Sequence, residues 1–401
     1  MPQDYQYMAR TLTGEATTGI ITANNAKEVA QNLRNRQLRV VRIKEYKSQG
    51  STRGRKPGIK DVAVFSRQLA TMISSGIPLL GALDTLAKAV ENPRMGKIVR
   101  DVYNEVQQGN QLSLALEPHK KLFGPLYVNM IRAAEVGGGI DTVLERLSAF
   151  LEKDLALRGK IKSSLTYPVS VMIIAFVITY FMLAVIVPKF AEILAQLGTE
   201  LPLITKILLV LSDGTRTMLI PTILLVIALT FGYRKLISTE AGRYQVDAFK
   251  LKIPLIGAVI QRGAIANFTS TLGLLLRNGV NIIEALDITR TTAGNAVVER
   301  AVRNASINVQ TGEMIAPTLK TTPVFTPMVV SMIQIGEETG ALDEMLFKAA
   351  EYYEREVEEA IDALTAGIEP ALMVFLGIVI GGIVIGLFMP LFSVLGTLSN
   401  G

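Results

Sequence analysis

The chain has 401 residues, of which 49% are hydrophobic and 19% are charged. This balance is too apolar for an ordinary soluble protein and too charged for a protein embedded wholly in a bilayer, so we expect soluble and membrane parts in one chain. The absence of Cys excludes disulfides, cysteine nucleophiles and iron–sulfur clusters, and the single histidine, His119, argues against a histidine metal site.

Residues 1–47 predict a small α/β cap. Segments 5–10, 19–23 and 38–43 are typical of short strands, and segment 25–36 is typical of a helix between two of them. Residues 48–60 form a basic linker with Gly and Ser, which indicates flexibility. The first ten residues contain no apolar run of the kind found in a signal peptide, so the following domain is expected to stay in the cytoplasm.

Residues 61–167 predict a bundle of helices. Val62, Phe65 and Leu69 recur at helical spacing, and Gly76 suits the left-handed residue that ends a helix. Pro78 then suits the first turn of the next helix. We expect about six helices, whose apolar faces form the core of the bundle.

Three uncharged runs, at 169–187, 217–233 and 371–401, are long enough to cross a membrane. About 20 residues, rising about 1.5 Å each, span a bilayer core. The runs therefore predict transmembrane helices at 168–188, 217–233 and 371–395, with a loop at 189–216.

The distribution of charge predicts the orientation of these spans. Residues 1–167 carry 25 Lys and Arg against 15 Asp and Glu, whereas the loop 189–216 has three basic residues. The positive-inside rule then places 1–167 and 234–370 in the cytoplasm, and the loop and the C-terminus in the periplasm.

A basic first half is also typical of nucleic-acid-binding proteins. Membrane orientation already accounts for it and aromatic residues are sparse, so we expect no nucleic-acid partner.

The soluble parts repeat. A shift of 203 residues pairs Phe65 with Phe268 and Gly76 with Gly279, and a shift of 202 pairs Glu135 with Glu337. Because Gly and Pro match at turn positions over more than 120 residues, a duplication is the natural explanation, with a second bundle at 234–370. Duplicated domains should share a compartment. The second span, which has no counterpart in the repeat, therefore returns the chain to the cytoplasm.

Acidic residues flank tight turns in both copies. Two interpretations are open: a site for a cation or for basic residues of a partner, and the favoured one, capping of helix N-termini. A further acidic run at 351–362 is interpreted as a solvated helix face, with docking to the basic first copy or to a partner as the alternative. The turn residues are Glu135, Asp141, Glu337, Glu338 and Asp343.

Proline and glycine mark the predicted spans. The prolines are interpreted as helix starts and kinks at span ends, with a hinge role as the alternative. Two small-xxx-small patterns in the last span favour close contact with another helix, within the protomer or from another protein. The residues are Pro168, Pro188, Pro370 and Pro390, and Gly377, Gly381, Gly382 and Gly386.

The paired motifs resemble a known family. They are Gly76-Ile77-Pro78-Leu79 with Gly279-Val280-Asn281-Ile282, Ala134-Glu135-Val136-Gly137-Gly138-Gly139 with Gly336-Glu337-Glu338-Thr339-Gly340, and Tyr167-Pro168 with Glu369-Pro370. Together with the topology, they resemble the inner-membrane platform proteins of type IV pilus and type II secretion machines, the PilC and GspF family. The first copy has Glu-Val-Gly-Gly-Gly where the second has the fuller Glu-Glu-Thr-Gly motif. This difference argues against an equal role for the two turns.

The resemblance implies a non-enzymatic platform without metal or cofactor. Its cytoplasmic domains would contact a hexameric assembly ATPase, and its membrane part would meet pilin or pseudopilin helices, beside inner-membrane alignment proteins in the lipid bilayer. The chain has no GxxxxGK[ST] phosphate loop, which fits hydrolysis of ATP by the partner. A homo-oligomer is expected, with a dimer favoured. Of the two machines, the pilus is favoured on overall resemblance.

Two other classes of membrane protein fit less well. A small-solute transporter usually needs ionisable or strongly polar groups within the bilayer, and the three predicted spans contain no Asp, Glu, Lys, Arg or His. An intramembrane enzyme would need an Asp pair or a Ser–His set, which these spans also lack.

Overall fold

The computed structural model describes residues 3–10, 16–23, 28, 30, 39–45, 55–196, 203–217 and 219–399. At the N-terminus, strands β1 (Gln3–Arg10), β2 (Ala16–Ala23) and β3 (Arg39–Glu45) form an antiparallel sheet in the order β2-β1-β3. These strands overlap the three predicted ones. All but two residues of the predicted helix 25–36, and the linker up to residue 54, lie outside the described residues. The α/β cap therefore stays a prediction.

The first bundle consists of short helices followed by one long helix. At the start of its first helix, the Gly58 N–H donates to the carboxylate of Asp61 over 2.8 Å. Asp61 also accepts from Arg55 over 2.8 Å, which anchors the end of the linker. The helices are α1 (Ile59–Ser74), α2 (Leu79–Ala89), α3 (Pro93–Gln107), α4 (Leu112–Leu116), α5 (Lys120–Phe123), α6 (Pro125–Gly137) and α7 (Ile140–Phe181).

A π-helical turn (Met182–Ile186) links α7 to α8 (Val187–Gln196), and α9 (Leu203–Thr217) and α10 (Leu219–Ile237) lead to the second bundle. That bundle contains α11 (Glu240–Lys252), α12 (Ile256–Arg277), α13 (Ile282–Thr292), α14 (Ala296–Gln310), α15 (Ile315–Lys320), α16 (Pro327–Thr339) and α17 (Leu342–Ser399).

The two bundles repeat at the level of individual helices. A shift of 203 residues carries the bounds of α2 onto those of α13 and the bounds of α3 onto those of α14. A shift of 202 carries α6 onto α16 and the first residue of α7 onto that of α17. Helix α11 has no counterpart among the described residues of the first copy.

A hydrophobic core runs continuously through both copies. Each copy places one edge-to-face aromatic pair at the same position: Phe65 with Phe123, with ring centroids 5.9 Å apart, and Phe268 with Phe325, at 5.2 Å. In the first copy, the hydroxyl of Ser66 donates to that of buried Tyr127 over 3.1 Å, and burial raises the pKa of Tyr127 to about 12. Because the core is shared, the two bundles form one body.

Among the described residues, two helical segments are long and apolar enough to cross a membrane, Ile140–Phe190 and Leu342–Met389. Only 6% and 22% of the residues in their most apolar windows are buried, so they are not core helices of a soluble domain. The first segment contains the first predicted span, and the second contains the third predicted span up to Met389. The second predicted span coincides with α10, a helix of 19 residues whose Leu224, Ile227 and Phe231 are exposed, and its role as a span stays a prediction.

Three of the four prolines do not start helices, so the helix-start interpretation was wrong for Pro168, Pro370 and Pro390. Pro168 lies inside α7, and Pro370 and Pro390 lie inside α17. Pro188 is the second residue of α8, and the kink interpretation stays a prediction. Each helix therefore continues through its proline, and α7 and α17, of 42 and 58 residues, run from their bundles into the apolar segments.

Candidate functional site

The two long helices α7 and α17 lie side by side and are joined by ion pairs between the copies. Lys153 lies 3.0 Å from Glu354, and Lys160 lies 3.4 Å from both Glu358 and Asp362. Partial loss of solvent lowers the pKa of Lys160, but its hydrogen bond to Asp362 and the nearby negative charges outweigh this effect and raise the pKa. We call this set of contacts the seam.

The seam changes the interpretation of the acidic run 351–362. Three of its carboxylates, those of Glu354, Glu358 and Asp362, face lysines of the first copy, so the run is not a uniformly solvated face. Glu356 binds within its own copy, 3.1 Å from Arg262. For these three seam residues, the structure agrees with the alternative interpretation, in which the run docks to the basic first copy.

The seam also depends on a difference between the copies. In the first copy, Arg67 of α1 donates two hydrogen bonds, of 2.6 and 2.5 Å, to Glu152 of α7, and they lower the pKa of Glu152. The repeat places Ser270 at the position of Arg67 and Glu354 at the position of Glu152. Because serine has no positive charge, Glu354 has no matching partner in its own copy and pairs with Lys153.

Replacing Lys160 by glutamate is expected to destabilise the body formed by the two copies, because three carboxylates would then meet at the seam. The midpoint of thermal unfolding of the purified protein in detergent should fall, and the loss should shrink at high ionic strength, which screens exposed charges. Adding Glu358→Lys and Asp362→Lys should restore the midpoint. Lys162→Glu is the matched control, since Lys162 is exposed and has no ion-pair partner in the described part of the chain. Equal losses from both reversals would contradict the seam.

Two of the turn carboxylates cap a helix of their own copy. Glu135 of α6 accepts from the N–H of Leu112 over 2.5 Å and from the hydroxyl of Ser113 over 2.5 Å, at the start of α4. Glu337 of α16 accepts from the N–H of Ile315 over 2.5 Å and of Ala316 over 3.0 Å, at the start of α15. The same side chain thus closes the same helix end in each copy.

The other turn carboxylates have weaker contacts. Asp141 and Asp343 lie in the first turns of α7 and α17, where a negative charge is favourable. Glu338 is exposed and accepts from the Gln334 amide over 2.8 Å. In the part of the chain that the structure describes, no group of three His, Asp or Glu residues could hold a metal ion. The cation interpretation therefore gains no support here.

Helices from three parts of the chain, α8, α9 and α17, pack together away from the bundle core. Buried Val187, Leu208, Ile383 and Leu387 form a second hydrophobic cluster, separate from the bundle core. Helix α9, which lies within the predicted loop, therefore packs between α8 and α17. We call this arrangement the α9 junction.

At the α9 junction, a hydroxyl binds a backbone carbonyl near Pro188. Proline has no N–H, so Pro188 cannot donate to a carbonyl of the preceding turn. The helix widens there into the π-helical turn Met182–Ile186, and the hydroxyl of Ser212 donates to the carbonyl of Leu183 over 2.6 Å. The widened turn and the hydroxyl together accommodate the proline.

A hydroxyl also binds a backbone carbonyl near Pro390, which the repeat pairs with Pro188, although α17 stays α-helical there. The carbonyl of Gly386, four residues earlier, loses its helical donor and accepts instead from the buried hydroxyl of Thr205 over 2.7 Å. Helix α9 thus supplies one hydroxyl near each of two equivalent prolines.

The glycines of the last span differ in their surroundings. A Cβ atom at Gly386 would lie 2.2 Å from Cδ1 of Leu208, so α9 and α17 approach closely there. At Gly377, Gly381 and Gly382, a Cβ would have no neighbour within 4 Å among the described atoms. Helix contact at these three positions stays a prediction.

Comparison with known proteins identifies the family. The family model described as type II secretion system (T2SS), protein F matches residues 65–188 and again residues 268–390, and that of its N-terminal domain matches residues 1–44. Because the two longer matches cover more than half of the chain, the protein belongs to the type II secretion system protein F family. The predicted family and the duplication are confirmed.

Individual relatives carry two kinds of name. The type IV pilus assembly protein PilC of Thermus thermophilus is 49% identical over 98% of this chain and 99% of its own length. PilC of Myxococcus xanthus is 39% identical over 98% of this chain and 95% of its own. The type II secretion system protein F of Pseudomonas aeruginosa is 31% identical over 97% of this chain and 98% of its own length. These names refer to assembly and secretion, and not to a chemical reaction.

Proposed function

We propose that this protein is the inner-membrane platform of a type IV pilus assembly machine, which couples a cytoplasmic assembly ATPase to the insertion of pilins into the fibre. The relatives named for pilus assembly are more similar to the chain than the relative named for type II secretion. The equivalent platform of a type II secretion system is the alternative.

The observation that carries the proposal is the continuity of α7 and α17. At about 1.5 Å per residue, these helices are about 60 and 90 Å long, and each leaves the two-copy body and enters an apolar segment without interruption. Because the bundles share a core and the seam joins the long helices, a push on the cytoplasmic body would move both spans together. A platform that passes motion from an ATPase to pilin helices needs such a rigid connection.

The proposed topology has three spans, with the N-terminus in the cytoplasm and the C-terminus in the periplasm of a bacterial inner membrane. Helix α10 returns the chain between the copies, and the basic residues at its end, Arg234 and Lys235, support a cytoplasmic position for that end. The proposed partners are the hexameric ATPase, pilin helices, alignment proteins and a second copy of the chain. The predicted spans contain no Asp, Glu, Lys, Arg or His, which disfavours a small-solute transporter.

The proposal is tested by deleting the gene in its host and complementing with the wild-type chain. Loss of surface pili and twitching motility with normal secretion of exoproteins is the expected result, and the wild-type chain should restore both pilus phenotypes. Loss of secretion with normal pili would favour the type II secretion platform. If pili and secretion both persist, with no second homologous gene in the genome, the platform function is contradicted.

A further inference from the structure

A cleft of about 920 Å³ lies between the end of α10, the start of α11 and one face of α14. Three arginines, Arg243, Arg300 and Arg303, and two glutamates line it, so its charge is net positive. The ring of Tyr244 and the side chain of Ile307 add apolar surface. The cleft combines positive charge with apolar surface and serves none of the contacts of the seam or the α9 junction.

One of the three arginines is available to a ligand. Arg243 lies 3.1 Å from Glu299, and Arg303 lies 2.5 Å from Glu240. Arg300 has no ion-pair partner among the described residues, and its guanidinium carbon lies 5.2 Å from the centre of the Tyr244 ring. A guanidinium held over a ring keeps its N–H edge free, and that edge binds the oxygens of a phosphate in a forked geometry.

The cleft belongs to the second copy. It requires α11, which has no counterpart among the described residues of the first copy. The repeat places Lys97 at the position of Arg300, on the equivalent helix α3. Lys97 and Arg300 therefore carry the same charge at equivalent positions, but only Arg300 lines this cleft. Lys97 can serve as a matched control.

The position of the cleft points to a ligand from the membrane. Helix α10 ends at Ile237, which itself lines the cleft, and Phe231, Tyr233 and Leu236 of α10 are exposed just before it. If α10 crosses the bilayer as proposed, acyl chains lying along these side chains would bring their head group to Arg300. The basic residues at the end of α10 would add to the attraction for anionic lipids.

We propose that this cleft binds the phosphate head group of an anionic phospholipid, with Arg300 as the main contact. The site would fix the second bundle against the membrane surface at the point where α10 becomes α11. This inference rests on the proposed orientation of α10 and is independent of whether the machine builds pili or secretes proteins.

The test measures lipid binding to the full-length protein in detergent. Short-chain phosphatidylglycerol is titrated against wild type, Arg300→Ala and the matched control Lys97→Ala, with phosphatidylcholine as the neutral lipid. Arg300→Ala should weaken phosphatidylglycerol binding about fivefold, which corresponds to one basic residue at a lipid surface. Lys97→Ala should leave the affinity unchanged, and Tyr244→Leu should weaken it because the guanidinium loses its support.

Three results would overturn the proposal. Equal weakening by Arg300→Ala and Lys97→Ala would indicate general surface charge, and unchanged affinity in Arg300→Ala would exclude the cleft. Glycerol phosphate binding as tightly as phosphatidylglycerol would indicate a soluble anion instead of a lipid. Arg300 is exposed on α14, and circular dichroism of each variant checks that its fold is intact. Arg300→Gln, which removes the charge but keeps a polar side chain, replaces Arg300→Ala if that variant fails this check.

Discussion

Replacing Glu337 by alanine is expected to lower the free energy of unfolding by about 2–3 kcal/mol. The substitution removes the carboxylate that accepts from the backbone N–H groups of Ile315 and Ala316. Both of those residues are 1% exposed, so water has little access to take over the lost bonds. Urea unfolding of the purified protein in detergent, followed by circular dichroism, measures the loss.

The neighbouring carboxylate provides the control for this prediction. Glu338 is exposed and accepts only from a side-chain amide, so Glu338→Ala should cost less than about 0.5 kcal/mol. Glu135→Ala should resemble Glu337→Ala, since Glu135 caps the equivalent helix of the first copy. Equal losses for Glu337→Ala and Glu338→Ala would show that the capping contact contributes nothing specific.

Replacing Thr205 by valine is expected to destabilise the α9 junction by about 1–2 kcal/mol. Valine has nearly the same shape, but it leaves the Gly386 carbonyl without the hydroxyl donor that it now has. Thr205→Ser keeps the hydroxyl and should cost much less. The same unfolding measurement in detergent compares the two variants.

A second substitution tests whether the proline is the reason for this bond. Pro390→Ala restores a backbone N–H that can donate to the Gly386 carbonyl within α17. In that background, Thr205→Val should cost less than half of its cost in the wild type, and the difference between the two costs is the coupling energy. Equal costs in both backgrounds would contradict the link between Thr205 and Pro390.

The sequence predicted most of the helical architecture because each copy gives an independent prediction of the same helices. The matched glycines and prolines predicted two equivalent bundles, and helices α2 and α13 begin and end at paired positions. The apolar runs likewise predicted the two segments that are long enough to cross a membrane. Both kinds of signal, the repeated turn motifs and the uncharged runs, can be recognised in a single sequence without knowledge of the fold.

The contacts that define the candidate site are not local, and the sequence did not predict them. Glu337 was singled out as a turn residue, but its partners lie 22 and 21 residues earlier on another helix. Thr205 lies 181 residues from Gly386, and only the fold brings them together. One usable signal was present. Each proline in a long helix leaves a carbonyl of the preceding turn without its backbone donor, and the amphipathic segment that forms α9 carries hydroxyl side chains. The prolines were instead interpreted as helix starts and kinks, and the preference of proline for first turns was given too much weight.

The pairing of Lys160 with Asp362 has a consequence for the symmetry of the two-copy body. The shift of 202 residues makes these two residues the same position of the two copies, and they lie 3.4 Å apart. In a homodimer of one copy, a residue that meets its own equivalent across the two-fold axis must face an identical charge. A chain that carries both copies is released from that constraint and can place lysine on one side and aspartate on the other. Duplication within one gene thus converts a position of like-charge repulsion into an attraction, and it determines which long helix occupies which side of the pseudo-symmetric pair.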